Sequence, residues 1–407
     1  MTAHALHCRR DFGDIMRVLH VIDSLRLAKG GTSFAVREMT YWMTRLGLDT
    51  SIVCCAAEET TNTGAPKDSS EVAVHELPRD GSKLLLGDPP ESLRALIANA
   101  DIVHIHGVWD PILVSAGKAA RSAGKPLICT PHGMLAPWPM ARHRLRKWPY
   151  YQLFTRKLVE SANALHFITQ AEARLAGKWT PQGMPTFIVP YFLGAEYYQD
   201  PPERDTALKY FPQVPTAGPW ILFLSRIHPK KGLPRLIEAF PSVLKEFPES
   251  QLLIAGSGAP SYERKMRKMV AAAGIAGSTH FLGMVQGAAK VALYRRATIL
   301  AIPSSQENFG IVFAESVACC TPVLLTPQVD LHHEIMAAGA GFLTQTSAVA
   351  VARDLPAALR DPAKLTAAGE AGRRWAMEHL RPERVAKAML ENYERVLSGS
   401  KTHQPRS

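Results

Sequence analysis

Short apolar runs that end at a turn, several of them at a glycine or a proline, alternate with longer stretches whose apolar residues recur every three or four positions. The runs include MRVLHVI, ADIVHIHG and KPLICTPHG in the first half, and PWILFLS, SQLLIAGSG and ATILAIPS in the second. This alternation of strand, glycine-containing loop and helix predicts βαβ units, and therefore parallel sheets covered by helices. The predicted fold class is α/β, doubly wound and Rossmann-like.

The alternation breaks once, at a segment rich in proline and polar residues between positions 197 and 218. A chain of 407 residues is also too long for one ordinary core. We therefore predict two Rossmann-like domains that face each other across a cleft. The predicted divisions are a disordered lead-in (1–15), an N-terminal domain (16–197), a C-terminal domain (198–382), and a final helix and tail (383–407) that crosses back to the N-terminal domain.

The chain carries a net charge of +11, from 47 basic and 36 acidic residues. This charge favours an anionic partner such as a phosphate ligand, a nucleic acid or an acidic membrane surface. The six cysteines form no C-x-x-C pair, so we expect reduced thiols rather than a zinc site or a disulfide framework. No apolar run reaches the ~18 residues of a membrane-spanning helix, and the N-terminus lacks the apolar core of a secretory signal. These features predict a cytoplasmic protein.

One basic loop follows a predicted strand of the C-terminal domain. Ligands bind open parallel sheets at the carboxyl ends of the strands, so loops there are where chemistry is expected. The loop LSRIHPKKG places Arg226 directly after the strand and Lys231 five residues later. The planar fork of arginine and the point charge of lysine together suit a diphosphate. The alternative is a solvated basic turn, which is the commoner explanation of an isolated pair of this kind.

Two glycine-containing turns are candidates for binding an anion. Gly256 and Gly258 follow a strand directly, and a backbone without side chains can approach a phosphate or a base closely. Because position 261 is serine, the full dinucleotide-binding G-x-G-x-x-G is absent, and an ordinary strand-to-helix turn explains the pair equally well. Gly30 and Gly31 precede a helix, whose first N–H groups attract anions; a flexible turn is the alternative.

Histidines near strand ends raise the question of a metal site. His104 and His106 lie on one face of a predicted strand, and His132 follows the next strand beside a glycine. A metal would need a third ligand and a hydrogen-bonded second shell, whereas a strand-end histidine is more often a core residue. We take His132 as the better functional candidate. A second cluster, DLHHE at 330–334, resembles a metal site but also the start of a helix capped by Asp330.

The stretch SSQENFGIVFAES holds two glutamates eight positions apart. Glu307 lies in a loop, and Glu315 lies inside the helix that Gly310 begins. A carboxylate can accept hydrogen bonds from both hydroxyls of a ribose, and a second carboxylate in the loop can reach another sugar. The N–H groups of Phe309, Gly310 and Ile311 can stabilise phosphate charge. A general acid–base pair and a core helix with acidic edges are the alternatives.

Together these features resemble the family 4 glycosyltransferases, which are retaining enzymes of the GT-B fold. Arg226 with Lys231, the GSG turn, FLGMV followed by LYRRATILAIPS, and E-x7-E occur in the order and spacing of that family. In the N-terminal half, MRVLHVI, ADIVHIHGVW, TPHGML and ITQAEA are similar to it as well. The resemblance implies transfer of a hexose-type sugar from a nucleoside-diphosphate sugar to a glycan or lipid-linked acceptor, in bacterial polysaccharide or glycolipid synthesis.

The resemblance also implies a role for each candidate residue. The N-terminal domain would bind the acceptor and the C-terminal domain the nucleotide sugar. The implied catalytic residues are His132 near the reacting carbon, Arg226 and Lys231 on the diphosphate, and Glu307 on the donor sugar. Glu315 would hold the ribose, and the backbone at Met284 and Val285 the base. The other implied donor-binding residues are Gly30, Gly31, Gly256, Gly258, Asn308, Phe309, Gly310 and Ile311. The resemblance implies neither a metal nor a cofactor, and the chain has no D-x-D.

The chain departs from the family pattern at one place. Where family members often carry PNG after the last strand of the first domain, this chain has VPYFLG (189–194). The difference bears on the interdomain edge and the acceptor geometry, not on the donor site.

The sequence shows no well-placed nucleophile for a double displacement. The resemblance implies the route proposed for the family, a same-face attack in which the leaving phosphate takes the acceptor proton.

The segment 137–158 interleaves arginines and lysines with tryptophans and tyrosines. Such a mixture suits an anionic membrane surface, with a solvated loop and helix beside the cleft as the alternative. Because family members often act on lipid-linked acceptors, we favour peripheral attachment to the inner face of the cytoplasmic membrane.

Two other functions remain open. One is a sugar-nucleotide epimerase on the same fold; the other is a nucleic-acid-binding protein, although no nucleic-acid-binding motif is visible and we predict no such partner.

Overall fold

The computed structural model of the protein describes residues 15–26, 31–56, 72–142, 144–194, 197 and 202–401. The chain divides into two compact units. The first comprises Met1–Phe192 with Pro382–Ser407, and the second comprises Leu193–Arg381. Each unit is built on one sheet whose strands all run parallel, which confirms the predicted fold class.

Seven strands form the sheet of the first unit: β1 (Arg17–Ile22), β2 (Asp49–Cys55), β3 (Ala73–Leu77), β4 (Ile102–His106), β5 (Leu127–Thr130), β6 (Ala164–Phe167) and β7 (Thr186–Ile188). Their order across the sheet is β3-β2-β1-β4-β5-β6-β7, so the winding reverses between β1 and β4. The helices between them are α1 (Gly31–Arg45), α2 (Gly81–Leu86), α3 (Glu91–Asn99), α4 (Pro111–Ser122), α5 (Pro137–Ala141), α6 (Arg144–Tyr150), α7 (Arg156–Glu160) and α8 (Gln170–Ala176).

Six strands form the sheet of the second unit: β8 (Trp220–Leu224), β9 (Gln251–Ala255), β10 (Thr279–Gly283), β11 (Ile299–Ala301), β12 (Val323–Leu325) and β13 (Gly341–Leu343). The order is β10-β9-β8-β11-β12-β13, so the winding reverses between β8 and β11. Its helices are α9 (Ala207–Tyr210), α10 (Leu233–Glu246), α11 (Pro260–Ala272), α12 (Gly287–Arg296), α13 (Ile311–Ala318), α14 (His332–Ala337), α15 (Ala348–Leu359) and α16 (Pro362–His379).

The last helix, α17 (Pro382–Lys401), belongs to the first unit. Its buried Val385, Met389 and Tyr393 recur every four residues and therefore form one stripe. This stripe shares a core with Met39 and Met43 of α1. The chain thus returns to the sheet of the first unit after completing the second unit.

The inner strands of the second sheet are buried along their whole length, as is typical of parallel sheets that helices cover on both faces. All five residues of β8 and all five of β9 are buried. At the carboxyl ends of these two strands the backbones nearly touch. Gly256 has a φ of +131°, and a Cβ atom there would overlap the carbonyl oxygen of Ser225. A Cβ atom on Gly258 would overlap the carbonyl oxygen of Ile227, so the turn requires glycine at both positions.

We expect Gly256→Ala to destabilise the second unit by about 2–4 kcal/mol, because alanine must adopt a left-handed backbone and collide with a fixed carbonyl. Chemical denaturation of the full chain measures the effect. Gly277→Ala is the matched control, since a Cβ atom at Gly277 meets nothing within 4 Å. Equal stability of the two variants would show that the turn is not constrained by this contact.

Candidate active site

Arg226 and Lys231 both lie in the loop between β8 and α10, at the carboxyl edge of the second sheet. The Arg226 side chain is exposed, and it has no hydrogen-bond or ion-pair partner in the described part of the chain. Lys231 closes a single 3-10 turn that His228 caps with its side chain. Gly232 then adopts a φ of +76°, which lets α10 begin at once. The loop therefore presents two cations at one edge of the sheet.

Lys231 forms an ion pair with Glu307 from the loop after β11. The Lys231 Nζ atom lies 2.5 Å from Glu307 Oε1, and the two side chains are only 13% and 11% exposed. The pairing of β8 with β11 brings the two loops together. Beside this pair, burial lowers the pKa of Lys230, and the charge of Glu307 acts in the opposite direction. In a partly buried site, each of these charges depends on its partner.

The loop that carries Glu307, residues 303–310, is held on several sides; we call it the glutamate loop. Arg235 of α10 donates one hydrogen bond to the carbonyl oxygen of Pro303 (3.0 Å) and another to the hydroxyl of Ser305 (2.9 Å). The N–H of Glu307 donates to the carbonyl oxygen of Gln328 (2.9 Å). The backbone that carries Glu307 is thus held by hydrogen bonds to α10 and to the residues after β12.

The glutamate loop ends at the start of α13. Gly310 adopts a φ of +73° and is the N-cap residue, so the predicted helix start lies where the sequence placed it. Phe309 is buried, and the first N–H groups of α13, including that of Ile311, have no carbonyl partner within the helix. Both amide atoms of Asn308 are buried and have no hydrogen-bond partner in the described part of the chain. An unpaired buried amide costs about 1–3 kcal/mol, so a polar ligand here would be stabilised.

Glu315 is enclosed by three hydrogen-bond donors. Its Oε1 atom accepts from Lys290 Nζ (2.6 Å) and from the Tyr197 hydroxyl (3.1 Å), and its Oε2 atom accepts from the Tyr294 hydroxyl (2.8 Å). The side chain is 2% exposed. Burial, reinforced by the charge of Glu315, raises the pKa of Tyr294 well above its usual value, so this hydroxyl stays protonated. A ribose can contact the carboxylate directly only if one of these donors moves.

The other candidates of the second unit lie around the ends of β9 and β10. The N–H of Gly256 donates to the carbonyl oxygen of Gly283 (2.6 Å), which places the glycine turn beside Met284 and Val285. Met284 is largely exposed and Val285 is buried. The N–H of Gly258 donates to the Glu263 carboxylate (2.5 Å), so this N–H group is already occupied.

In the first unit, His132 is the third histidine of a buried hydrogen-bonded chain. His20 Nδ1 lies 3.0 Å from His106 Nε2, and His106 Nδ1 lies 3.1 Å from His132 Nε2. His132 Nδ1 lies 2.9 Å from the hydroxyl of Tyr191. Both ring nitrogens of His132 are therefore engaged within the unit.

A second chain passes through His104. Its Nδ1 atom lies 2.8 Å from the Tyr393 hydroxyl, and its Nε2 atom lies 2.7 Å from the Thr130 hydroxyl. Thr130 is hydrogen-bonded in turn to Nδ1 of His166 (2.9 Å), whose Nε2–H donates to the carbonyl oxygen of Val189 (2.8 Å). The histidines thus tie β4, β5 and β6 to α17.

The structure places a third histidine, His20, beside the two that the sequence suggested as metal ligands, but most ring nitrogens of the three are already hydrogen-bonded. Ring nitrogens of His20, His104 and His106 lie within 4.8 Å of one another. Five of their six ring nitrogens are hydrogen-bonded to protein groups, and within the residues that the structure describes only His20 Nε2 has no partner. A metal ion would have to replace these bonds.

The cluster at 330–334 does not gather a set of metal ligands in the described part of the chain. The proposed helix cap at Asp330 was wrong, because α14 begins at His332 with Leu331 as its N-cap residue. Asp330 instead donates its N–H to the carbonyl oxygen of Glu307 (3.1 Å), so it is part of the backbone bridge that supports the glutamate loop.

Burial keeps the five histidines neutral. It lowers the pKa of His20 and His132 to about 3 and that of His166 to about 4, and it lowers the pKa of His104 and His106 well below the usual value. The hydrogen-bond partners of the five rings are other imidazoles, hydroxyls and a carbonyl. A proton on any ring would therefore add a buried charge without a carboxylate beside it in these hydrogen bonds.

Sequence reasoning missed a buried carboxylate that supports His132. Glu172 accepts hydrogen bonds from the N–H groups of Gly133 (2.5 Å) and Ile168 (2.8 Å). His132 has a φ of +53°, an uncommon conformation for a residue other than glycine. The available signal was T-x-x-E in ITQAEA, a capping-box pattern in which Thr169 does cap α8.

Of the two N-terminal glycines, Gly30 lies outside the described residues, and Gly31 begins α1.

Two family models match the chain. The model described as glycosyl transferase 4-like domain matches residues 30–191, and the one described as glycosyl transferases group 1 matches residues 208–375. A GDP-mannose-dependent alpha-(1-6)-phosphatidylinositol monomannoside mannosyltransferase of Mycolicibacterium smegmatis is 24% identical over 314 residues, which are 74% of this chain and 79% of the relative.

Solved structures share the fold. Sucrose-phosphate synthase from Thermosynechococcus elongatus has a TM-score of 0.77 at 19% identity, and the match covers 94% of this chain and all of that one (100%). The Anabaena protein HepE, solved in complex with UDP and glucose, has a TM-score of 0.76 at 17% identity, with 93% and 100% covered. At these identities the likeness concerns the fold.

The buried histidines predict an acid-sensitive first unit. Below the usual histidine pKa of 6.5 the unfolded chain binds protons that the folded unit excludes until about pH 3 to 4. The free energy of unfolding should therefore fall as pH decreases from 6.5, by up to about 1.4 kcal/mol per pH unit for each histidine. Urea denaturation between about pH 7.5 and about pH 5 measures this slope.

His166→Gln should reduce the slope by one histidine's share. A free energy of unfolding that is constant over this pH range would contradict the assignment of neutral, buried rings.

Proposed function

The chain is a family 4 glycosyltransferase with the GT-B fold, and from this we propose that it moves a mannosyl residue from GDP-mannose to a lipid-linked acceptor with retention at the anomeric carbon. The donor and the class of acceptor are those that the name of the mycobacterial relative states. The observation that carries the proposal is the Lys231–Glu307 ion pair beside the glycine-capped start of α13. It combines a cation for phosphate, a carboxylate for sugar hydroxyls and free helix N–H groups.

In the proposed donor complex, Arg226 and Lys231 bind the diphosphate. Glu307 and the unpaired amide of Asn308 bind hydroxyls of the mannose, and the first N–H groups of α13 face phosphate oxygens. Glu315 serves the ribose, either directly or through Lys290, which covers it. The base lies against the backbone at 284–285. These groups stabilise the negative charge that develops on the leaving diphosphate.

The proposed reaction needs no protein nucleophile. The bond between the anomeric carbon and the phosphate oxygen breaks as the carbon becomes oxocarbenium-like. The acceptor hydroxyl attacks from the same face, and its proton passes to the leaving phosphate oxygen. We propose that the enzyme works without a metal or another cofactor, because the two cations and the helix start supply positive charge at the diphosphate. The epimerase alternative gains no support from the relative compared above, which is named as a transferase.

We expect GDP-mannose to raise the thermal unfolding midpoint more than UDP-glucose or ADP-glucose does. Lys231→Met should abolish this shift and lower the transfer rate by about 100-fold or more, because the diphosphate loses its buried cation. Arg226→Ala should weaken donor binding without a loss of stability, since its side chain is exposed. Thermal shift and transfer of radiolabelled mannose to a lipid extract provide the measurements.

Lys231→Met alone leaves the Glu307 charge unpaired, which costs about 3–5 kcal/mol in a buried pair. The double variant Lys231→Met/Glu307→Gln removes both charges and should regain stability while staying inactive. Lys209→Ala, at an exposed lysine of α9, is the control. Normal turnover by the Lys231 or the Arg226 variant would overturn the diphosphate assignment, and conversion of the donor to an epimer without acceptor would favour the epimerase.

The basic–aromatic segment 137–158 has the surface that a membrane contact requires. Its exposed apolar side chains are Trp138, Leu145, Trp148 and Leu153. Its exposed basic side chains are Arg142, Arg144, Arg146, Arg156 and Lys157. Within the described residues, no helix combines the length and apolar character needed to cross a bilayer. We propose that this segment rests on an anionic membrane surface and brings the enzyme to its acceptor.

Not all of the segment is available for such a contact. Lys147 donates to the carbonyl oxygen of Pro139 (2.7 Å) and lies over the Trp109 ring, and burial lowers its pKa. Tyr151 is buried, and its hydroxyl donates to the carbonyl oxygen of Trp179 (2.8 Å). Leu145, which is 93% exposed, lies between two exposed arginines and is the centre of the proposed contact.

We expect the protein to co-sediment with vesicles of phosphatidylglycerol and phosphatidylcholine, and to be released by high salt. Arg144→Ala/Arg146→Ala should weaken binding about tenfold or more, since each basic residue near an anionic surface contributes about 1 kcal/mol. Leu145→Gln should weaken binding as well. Leu86→Gln is the matched control, because Leu86 is an exposed leucine of the same unit outside the segment. Equal binding by all four proteins would exclude the segment as the contact.

A further inference from the structure

We propose that Tyr191 is a positioning residue for the reaction, and that it holds His132 as a neutral Nδ1–H tautomer at the end of the chain His20–His106–His132–Tyr191. The proposal rests on the proposed function and on the family resemblance, which implies that His132 lies near the reacting carbon. It stands on three contacts of 3.0, 3.1 and 2.9 Å, which join four buried side chains in one line.

The tautomers follow from counting protons along the line. A neutral imidazole has one N–H and one acceptor nitrogen, so every histidine in a chain must point its N–H in the same direction. Only two arrangements are therefore possible. In the first, every ring carries its proton on Nδ1, and the Tyr191 hydroxyl accepts from His132. In the second, every ring carries its proton on Nε2: the Tyr191 hydroxyl donates to His132, His132 to His106 and His106 to His20.

His20 Nε2 decides between the two arrangements, because it is buried and has no hydrogen-bond partner among the described residues. In the second arrangement this atom would carry an orphaned N–H. In the first arrangement it is an unprotonated acceptor, and every N–H of the chain is satisfied. Orphaned buried N–H groups are rarer than unused acceptors. The geometry therefore assigns Nδ1–H to His20, His106 and His132, with the Tyr191 hydroxyl accepting the last hydrogen bond.

Tyr191 lies within VPYFLG, where the chain departs from the PNG of its family's pattern. Its ring packs beside that of His132, with centroids 5.8 Å apart. The tyrosine thus both accepts the hydrogen bond of His132 and limits rotation of the imidazole. Since both ring nitrogens of His132 are occupied, the ring acts by its position and by its backbone, which Glu172 also holds through Gly133.

The first test needs no substrate. In a protein labelled with 15N at histidine, the wild-type spectrum should show His132 as a neutral Nδ1–H tautomer with a slowly exchanging proton. Tyr191→Phe removes only the acceptor and should lose this protected proton. Tyr393→Phe is the matched control, because it removes the same kind of bond from His104 Nδ1 in the second chain and should leave the His132 signal in place.

The second test is kinetic. Tyr191→Phe should lower kcat about tenfold while the donor KM stays within about twofold, because only the placement of groups at the reacting carbon changes. Tyr393→Phe should leave both parameters near the wild-type values. A general loss of stability would affect both variants alike, and this comparison separates positioning from a merely structural effect.

A wild-type His132 that is protonated, or that carries its proton on Nε2, would overturn the proposal. So would a Tyr191→Phe variant whose His132 signal and kcat are unchanged. Stoichiometric zinc binding that shifts the His20, His104 and His106 signals would replace the proton line with a metal site. Absence of mannosyl transfer by the wild-type protein would count against the proposed function alone, because the tautomer is measured without a donor.

Discussion

All the strands of both sheets run parallel, and this constraint determines where the functional groups meet. Parallel strands end at the same edge, and the loops diverge where the winding reverses. In the second unit the reversal lies between β8 and β11, and these strands carry Lys231 and Glu307 in the loops that follow them. In the first unit it lies between β1 and β4, the strands of His20 and His106. The same topology thus produces both central contacts.

The two units solve the burial of polar groups in different ways. The second unit buries charges in pairs, Lys231 with Glu307 and Lys290 with Glu315, and adds hydroxyl donors where a carboxylate is almost fully enclosed. The first unit buries histidines that stay neutral and share protons along lines of hydrogen bonds. Ion pairs suit a binding site, because either charge can exchange its partner for a charged ligand. Hydrogen-bonded chains of neutral side chains suit a rigid core, since every polar group is satisfied without a buried charge.

The sequence predicted the fold well because apolar periodicity is a local signal. Strands β8, β9 and β11 of the second sheet were visible as runs that end before a turn, and the start of α13 at Gly310 was predicted from one glycine. The partners of the candidate residues were not local. Tyr197, which donates to Glu315, is 118 positions away from it in the sequence, and Lys290, which also donates to Glu315, is 25 positions away. Neither residue belongs to a motif that the spacing of residues reveals. His20 escaped notice because a lone histidine within an apolar strand has no pattern until its neighbour across the sheet is known.

The enclosed carboxylates also constrain how a donor can bind. A diphosphate that takes Lys231 as its partner would leave Glu307 with less positive charge at a site where its side chain is 11% exposed. Such a carboxylate must gain hydrogen-bond donors, and the hydroxyls of the transferred sugar are donors that arrive with the same ligand. Binding of the phosphate by Lys231 and binding of the sugar by Glu307 are then coupled, because each residue replaces the other with a group of the same ligand. In the proposed function, a nucleoside diphosphate without its sugar would satisfy the lysine at the expense of the glutamate, which favours the intact donor over the product.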